Sequence, residues 1–107
     1  MKHLVIVTPK ETPFPTRLIA ENLAETREWL EKHIDDGMVE CAYGFVTGGG
    51  VGIVNADSAE SLNEFLLDSP SFANSDIDVR PLAEIDSSLA RAADAMRRAA
   101  ETLGTSV

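Results

Sequence analysis

Basic residues, cysteine and histidine are all scarce in this 107-residue chain, and each scarcity excludes something. Nine Lys and Arg stand against 18 Asp and Glu, for a net charge of −9. Such a balance repels nucleic acid and anionic membranes at long range, so neither is an expected partner. The densest basic spot, Arg97-Arg98, is too small to track phosphates. Cys41 is the only cysteine, which excludes an intrachain disulfide and points to a cytoplasmic setting. With two distant histidines and this one thiol, no metal-ligand spacing arises, and no metal or other cofactor is expected. The longest apolar run, Leu4 to Val7, falls far short of the ~20 residues of a membrane helix. The residues before it also lack the pattern of a secretory signal.

What remains is ordinary globular material. Hydrophobic residues make up 44% of the chain and charged residues 25%, enough for one modest core. One domain over 1–107 is expected, with a core over about 2–84 and a helix over about 86–103. Residues 3–8 are β-branched and apolar and predict a strand stopped by Pro9. A loop over 9–15 holds three of the five prolines. Ile19, Leu23, Leu30 and Ile34 recur at helical spacing, with Thr16 as cap and Gly37 as the left-handed stop. Residues 38–47 and 51–56 predict two strands joined by Gly48-Gly49-Gly50. These glycines lack the lysine and following helix of a phosphate loop, so a hairpin is the reading. Asp57 is expected to cap a short helix carrying Leu62, Phe65 and Leu66. Residues 76–82 alternate as a half-exposed strand, and Asp86, Ser87 or Ser88 caps an alanine-rich last helix.

The order strand, helix, strand, strand, helix, strand predicts the α+β, ferredoxin-like βαββαβ fold with an extra C-terminal helix. The first strands are apolar on both faces, so the face away from the helices needs a cover. A second copy of the same sheet is the simplest one, making a homodimer the expected assembly.

The stretch from Gly37 through Tyr43, Gly48-Gly49-Gly50 and Asp57-Ser58-Ala59-Glu60 to Leu62 resembles the muconolactone isomerase family. So do Leu66, Ser69-Pro70, Phe72 and the run Asp76 to Leu82. The resemblance covers roughly residues 2–82. It implies the dimeric α+β barrel, in which two ferredoxin-like units pair through their sheets. It also implies a cofactor-free isomerase that moves a proton and a double bond in a small lactone. The first helix has its own charge pattern, the triple glycine replaces bulkier residues, and the alanine-rich helix replaces a short tail.

Two residues are candidates for moving the proton. Glu40 is the only charged residue in an apolar strand, and a carboxylate stripped of water is a competent general base. Its bland alternative is an ion pair at the sheet rim with Arg80 or a lysine. His3, on the first strand, carries an imidazole, which suits proton shuttling near neutral pH. Tyr43 offers a hydroxyl, and Trp29, Asn55 and Arg80 are candidates to bind substrate. Simple alternation puts Tyr43 on the face opposite Glu40, so the two share a ligand only if a bulge intervenes. The expected activity is proton transfer on a small lactone or enol. A non-catalytic ligand-binding or structural barrel, or a cofactor-free monooxygenase of the same fold, are the alternatives.

Overall fold

The computed structural model describes residues 1–11 and 14–104, so the loop expected over 9–15 lies partly outside the described residues. Along the chain come β1 (Lys2–Pro9), α1 (Thr16–Asp35), β2 (Val39–Gly44), β3 (Gly50–Asn55), α2 (Ala59–Leu67), β4 (Ser75–Pro81) and α3 (Ile85–Thr102). A single 3₁₀ turn, Phe72–Asn74, precedes β4. The strands form one antiparallel sheet in the order β2-β3-β1-β4, the ferredoxin-like arrangement expected from the element order.

The hairpin between β2 and β3 depends on glycine. Gly49 has φ +80°, and a Cβ there would lie 2.2 Å from the Val7 carbonyl oxygen. Any side chain would therefore push β1 and the turn apart. β2 ends at Gly44, earlier than sequence pattern alone indicates, because Phe45 and Gly49 already close the turn by hydrogen bonds. A second departure lies at the other end of β2. Val39 pairs with Val54 and Cys41 with the adjacent Ile53, so Glu40 is an extra residue in a β-bulge.

Side-chain alternation then sorts the sheet. His3, Val5 and Val7 of β1 face the helices, in register with Val54, Gly52 and Gly50 of β3. Leu4, Ile6, Val51 and Ile53 form the outer face and are partly exposed. The core is small: Val5, Val39, Val54, Ala56, Leu62 and Phe65 are its buried hydrophobic members.

The helix ends show which local signals succeeded. Gly37 adopts φ +83° just beyond α1, as its place in sequence predicts. Ser58, not Asp57, caps α2 by accepting from the Ser61 N–H at 3.1 Å. Pro15 precedes α1 without a side-chain cap, and Thr16 is the first helical residue. Helix α3 starts at Ile85, ahead of the expected caps at Asp86 to Ser88.

After α1, the Asp36 carboxylate accepts the Met38 N–H at 2.8 Å and faces His33 Nδ1 at 2.9 Å. The backbone bond first, and the histidine second, hold its pKa below the ordinary 3.8. A depressed carboxylate stabilises the fold above its unfolded pKa and loses that effect as pH falls through the folded value. Asp36→Asn is therefore expected to melt below the parent at pH 7, with the gap closing once the pH drops well under 3.8. Paired thermal melts at pH 7 and at low pH check this.

Helix α3 stands apart. It has no buried residue and only marginal contact with the other elements. The described chain measures 65 × 30 × 24 Å with a radius of gyration of 19.1 Å. A compact chain of about 100 residues has roughly 13 Å, so α3 projects from the body as an arm.

Candidate functional site

Helix α1 is tied to its surroundings at particular points and stands off the sheet elsewhere. Trp29 and His33 lie one turn apart on α1 and close on Phe65 of α2, with ring centroids 4.7 and 5.0 Å away. Trp29 Nε1 also donates to Asp68 Oδ2 at 3.2 Å. Further along, Asn22 Nδ2 donates to the Pro70 carbonyl at 2.7 Å, and Asn74 Nδ2 donates to Asn22 Oδ1 at 3.1 Å. The helix's substantial contact with the sheet is beside β2.

Between these ties lies a cavity of about 660 Å³. Its floor is the helix-facing side of the sheet, where Ala42, Gly50 and Gly52 sit beside Val5 and Val7. Small residues there leave volume that larger side chains would fill. A Cβ on Gly52 would already lie 3.2 Å from the Cys41 carbonyl and 3.6 Å from Ala42 Cβ. The roof is Ile19, Leu23, Thr26, Trp29 and Leu30 of α1. One end is polar, where Asn22 meets Ser69, Ser71, Asn74 and Ser75. Several groups there are already engaged: Ser69 Oγ lies 3.1 Å from Ser71 Oγ, and Ser75 Oγ donates to Asn74 Oδ1 at 3.3 Å.

Charge is confined to the rim. Lys10 and Glu11, both exposed, are the ionisable residues among the cavity's lining apart from Tyr43. Lys10 Nζ also lies 3.8 Å from Asp76 Oδ1. Such a site presents apolar walls, hydroxyls and amides, with no interior cation to neutralise a carboxylate. Among the described residues no cluster of His, Cys, Asp and Glu is arranged to hold a metal ion.

The sequence offers Glu40 and His3 as bases and Tyr43 as donor, with Glu40 and Tyr43 sharing a ligand only through a bulge; the structure has that bulge but places His3 on the other face of the sheet. The Glu40 carboxylate lies 2.6 Å from Lys2 Nζ and does not line the cavity. Its side chain is 41% exposed, so the water expected to be stripped away is still present in this chain. The hydrogen bond to Glu40, followed by its charge, raises the Lys2 pKa above 10.5. The bulge does put Tyr43 on the same outer face as Lys2 and Glu40, in register with Val51. Tyr43 borders the cavity from the β2 edge but is 72% exposed. Asn55 is spent on the Gly37 carbonyl, to which its Nδ2 donates at 3.1 Å. Arg80 lies on the outer face, paired with Asp78 at 3.2 Å. Trp29 alone among the candidates forms a cavity wall.

His3 faces the helices but lines a separate cleft of about 400 Å³, with Met1, Ser58, Leu62, Asn63 and Pro81. It is only 7% exposed, and its Nδ1 has no hydrogen-bond partner. Leu66 lines both the cleft and the cavity.

Sequence reasoning missed the polar end altogether. Asn22 and Thr26 interrupt the apolar face of α1 one turn apart, which is the one local sign of a polar surface there. Ser69, Ser71, Asn74 and Ser75 read as connecting loop, and only the folded chain brings them to Asn22.

No protein-family model matches this sequence, and no curated protein matches it. Solved structures do. The chain superposes on muconolactone isomerase with a TM-score of 0.72 at 19% identity, over 78% of this chain and 90% of the other. It also superposes on 5-chloro-2-hydroxyhydroquinone dehydrochlorinase from Burkholderia phenoliruptrix, solved in complex with 2,5-dihydroxybenzoquinone. There the TM-score is 0.61 at 15% identity, over 78% of this chain and 95% of the other. These likenesses establish the muconolactone isomerase-like, ferredoxin-like fold. No helix among the described residues is long and apolar enough to cross a membrane.

Proposed function

We propose that this chain is a cofactor-free, muconolactone isomerase-like enzyme that moves a proton beside a carbonyl in a small lactone or enol. The observation that carries the reading is the cavity of about 660 Å³ between α1 and the sheet, apolar along its walls and polar at one end. A small oxygenated ring fits that pattern: its carbon skeleton against Val5, Leu30 and Trp29, an oxygen remote from the reacting carbonyl toward the Ser and Asn end. Two fold neighbours whose names identify them as enzymes on such compounds support the same class. The substrate is uncharged in this reading. Burying a carboxylate without a paired cation costs several kcal/mol, and the interior provides none.

His3 is the base. It is buried on the helix-facing side of the sheet, its Nδ1 is unpartnered, and Leu66 lines both its cleft and the cavity. In this reading a shift of Leu66 joins the two spaces. The proton passes from the carbon next to the carbonyl to the imidazole, while Ser58 and Asn63, which line the same cleft as His3, hold the enolate oxygen. Glu40 enters as the rim partner of Lys2. The outer face carrying Leu4, Ile6, Val51 and Ile53 packs in this reading against the sheet of a second copy.

One observation favours a different reading, a barrel that binds a metabolite without converting it: among the described residues the cavity's only ionisable side chains, Lys10, Glu11 and Tyr43, are exposed ones at its edges. The two separate cleanly. Trp29 is the only tryptophan and sits in the cavity wall, so its fluorescence reports occupancy. The chain is titrated with 2-coumaranone and with α-angelica lactone, and with benzoate as an anionic control. Ligands that bind are then incubated with the protein in D₂O. A fluorescence change with the lactones but not with benzoate, and catalysed deuterium uptake at a carbon next to the carbonyl, are expected. Binding without any exchange would retire the enzyme reading in favour of the binding one.

A further inference from the structure

The arm α3 carries a regular seam that none of the described residues covers. Ile85, Leu89, Ala92, Met96, Ala99 and Leu103 follow one another at alternating steps of four and three. This is the 3.5-residue period of a coiled-coil seam, narrower than the stripe that packs a helix on a sheet. Ile85, Leu89, Met96 and Leu103 are each more than 60% exposed. The residues flanking the seam are small, Ser88, Ala93 and Ala95 among them, and let a second helix approach closely.

We infer that α3 pairs with α3 of a second copy of this chain, antiparallel, along this seam. The pattern of sizes argues for that occupant. About a two-fold axis at the middle of the helix, Leu89 meets Ala99, Ala92 meets Met96, and Ile85 meets Leu103. Every alanine then faces a large side chain, and the same surface serves both copies, as a two-fold interface requires. A parallel pair would set Ala92 against Ala92 and Ala99 against Ala99, leaving two gaps.

Charge supports the same occupant. Helix α3 holds Arg91, Arg97 and Arg98 against Asp86, Asp94 and Glu101, so it is neutral in a chain of net charge −9. Two such arms meet without the repulsion that two bodies feel. The arm projects from the body, so its 18 residues, roughly 27 Å of helix, are free to overlap fully. The inference is independent of what the cavity binds.

Cross-linking tests it on the full chain with Cys41→Ser as background. Ala92→Cys and Met96→Cys chains are oxidised separately and as an equal mixture. The antiparallel pair predicts a disulfide-linked species in the mixture at least fivefold more abundant than in either chain alone. Strong cross-linking of each chain with itself would overturn the antiparallel register. No cross-linking in any sample would overturn the pairing itself. Independently, adding Leu89→Glu and Ala99→Glu to both cysteine chains is expected to abolish the mixed cross-link, with the sheet's circular dichroism intact; an undiminished cross-link would also overturn it.

Discussion

Replacing His3 by asparagine is expected to slow lactone deuterium exchange by about 10²–10⁴-fold, the usual contribution of a positioned general base. Binding, read from Trp29, is expected to change little, because His3 lies beyond Leu66 and outside the cavity. The split between lost exchange and retained binding is what a merely structural histidine would not produce. Asparagine keeps a polar side chain of similar reach at a position that is 7% exposed, so the substitution avoids opening a large void. The same reading makes Leu66 a separator. Leu66→Ala widens the connection and is expected to leave exchange intact or faster, while Glu40→Ala leaves it unaltered. If the asparagine variant exchanges at the parental rate and Glu11→Gln does not, the base is the rim carboxylate Glu11. The chemistry would then take place at the mouth of the cavity.

The fold was legible because its signals are local or periodic. The β-branched apolar run of β1, the four-and-seven spacing of α1 and the glycines at 37 and 48–50 each act within a few residues. The site was not legible for the opposite reason. Whether Glu40 faces a cavity or water depends on one bulged residue, and a one-residue shift reverses the face of everything after it. Tyr43 moved to the face of Glu40 by that shift alone. The cavity arises from what is missing: Gly50 and Gly52 are marks of a turn and a flexible strand in sequence. They become a floor only when α1 is held above them by groups as distant as Pro70 and Asn74. Likewise Asn74 is an unremarkable loop residue until its amide meets Asn22, 52 positions earlier.

The largest stability effect is expected at Phe65, because its ring serves two purposes. It is 8% exposed within the small core, and it is the surface on which Trp29 and His33 close. Phe65→Ala removes both functions. A buried Phe→Ala change costs about 3–5 kcal/mol, and each lost aromatic pair accounts for ~0.5–1.5 kcal/mol of side-chain interaction. A domain of this size holds only about 5–15 kcal/mol in total, so the melting temperature should fall by more than 10 °C, taking ~4–8 °C per kcal/mol as the guide. The consequence for the site follows from geometry. With the ring gone, α1 keeps its hydrogen bonds through Trp29 and Asn22 but loses the packing that sets its height over Gly50 and Gly52. Lactone binding should therefore weaken even at temperatures where the variant is folded. Phe65→Leu, which retains most of the buried area, should recover most of the stability. It lacks the flat face against Trp29 and should recover less of the binding. Thermal melts paired with Trp29 titrations at a temperature well below both transitions decide the point. Equal recovery of stability and affinity in the leucine variant would mean that burial alone, and not the ring cluster, holds the cavity open.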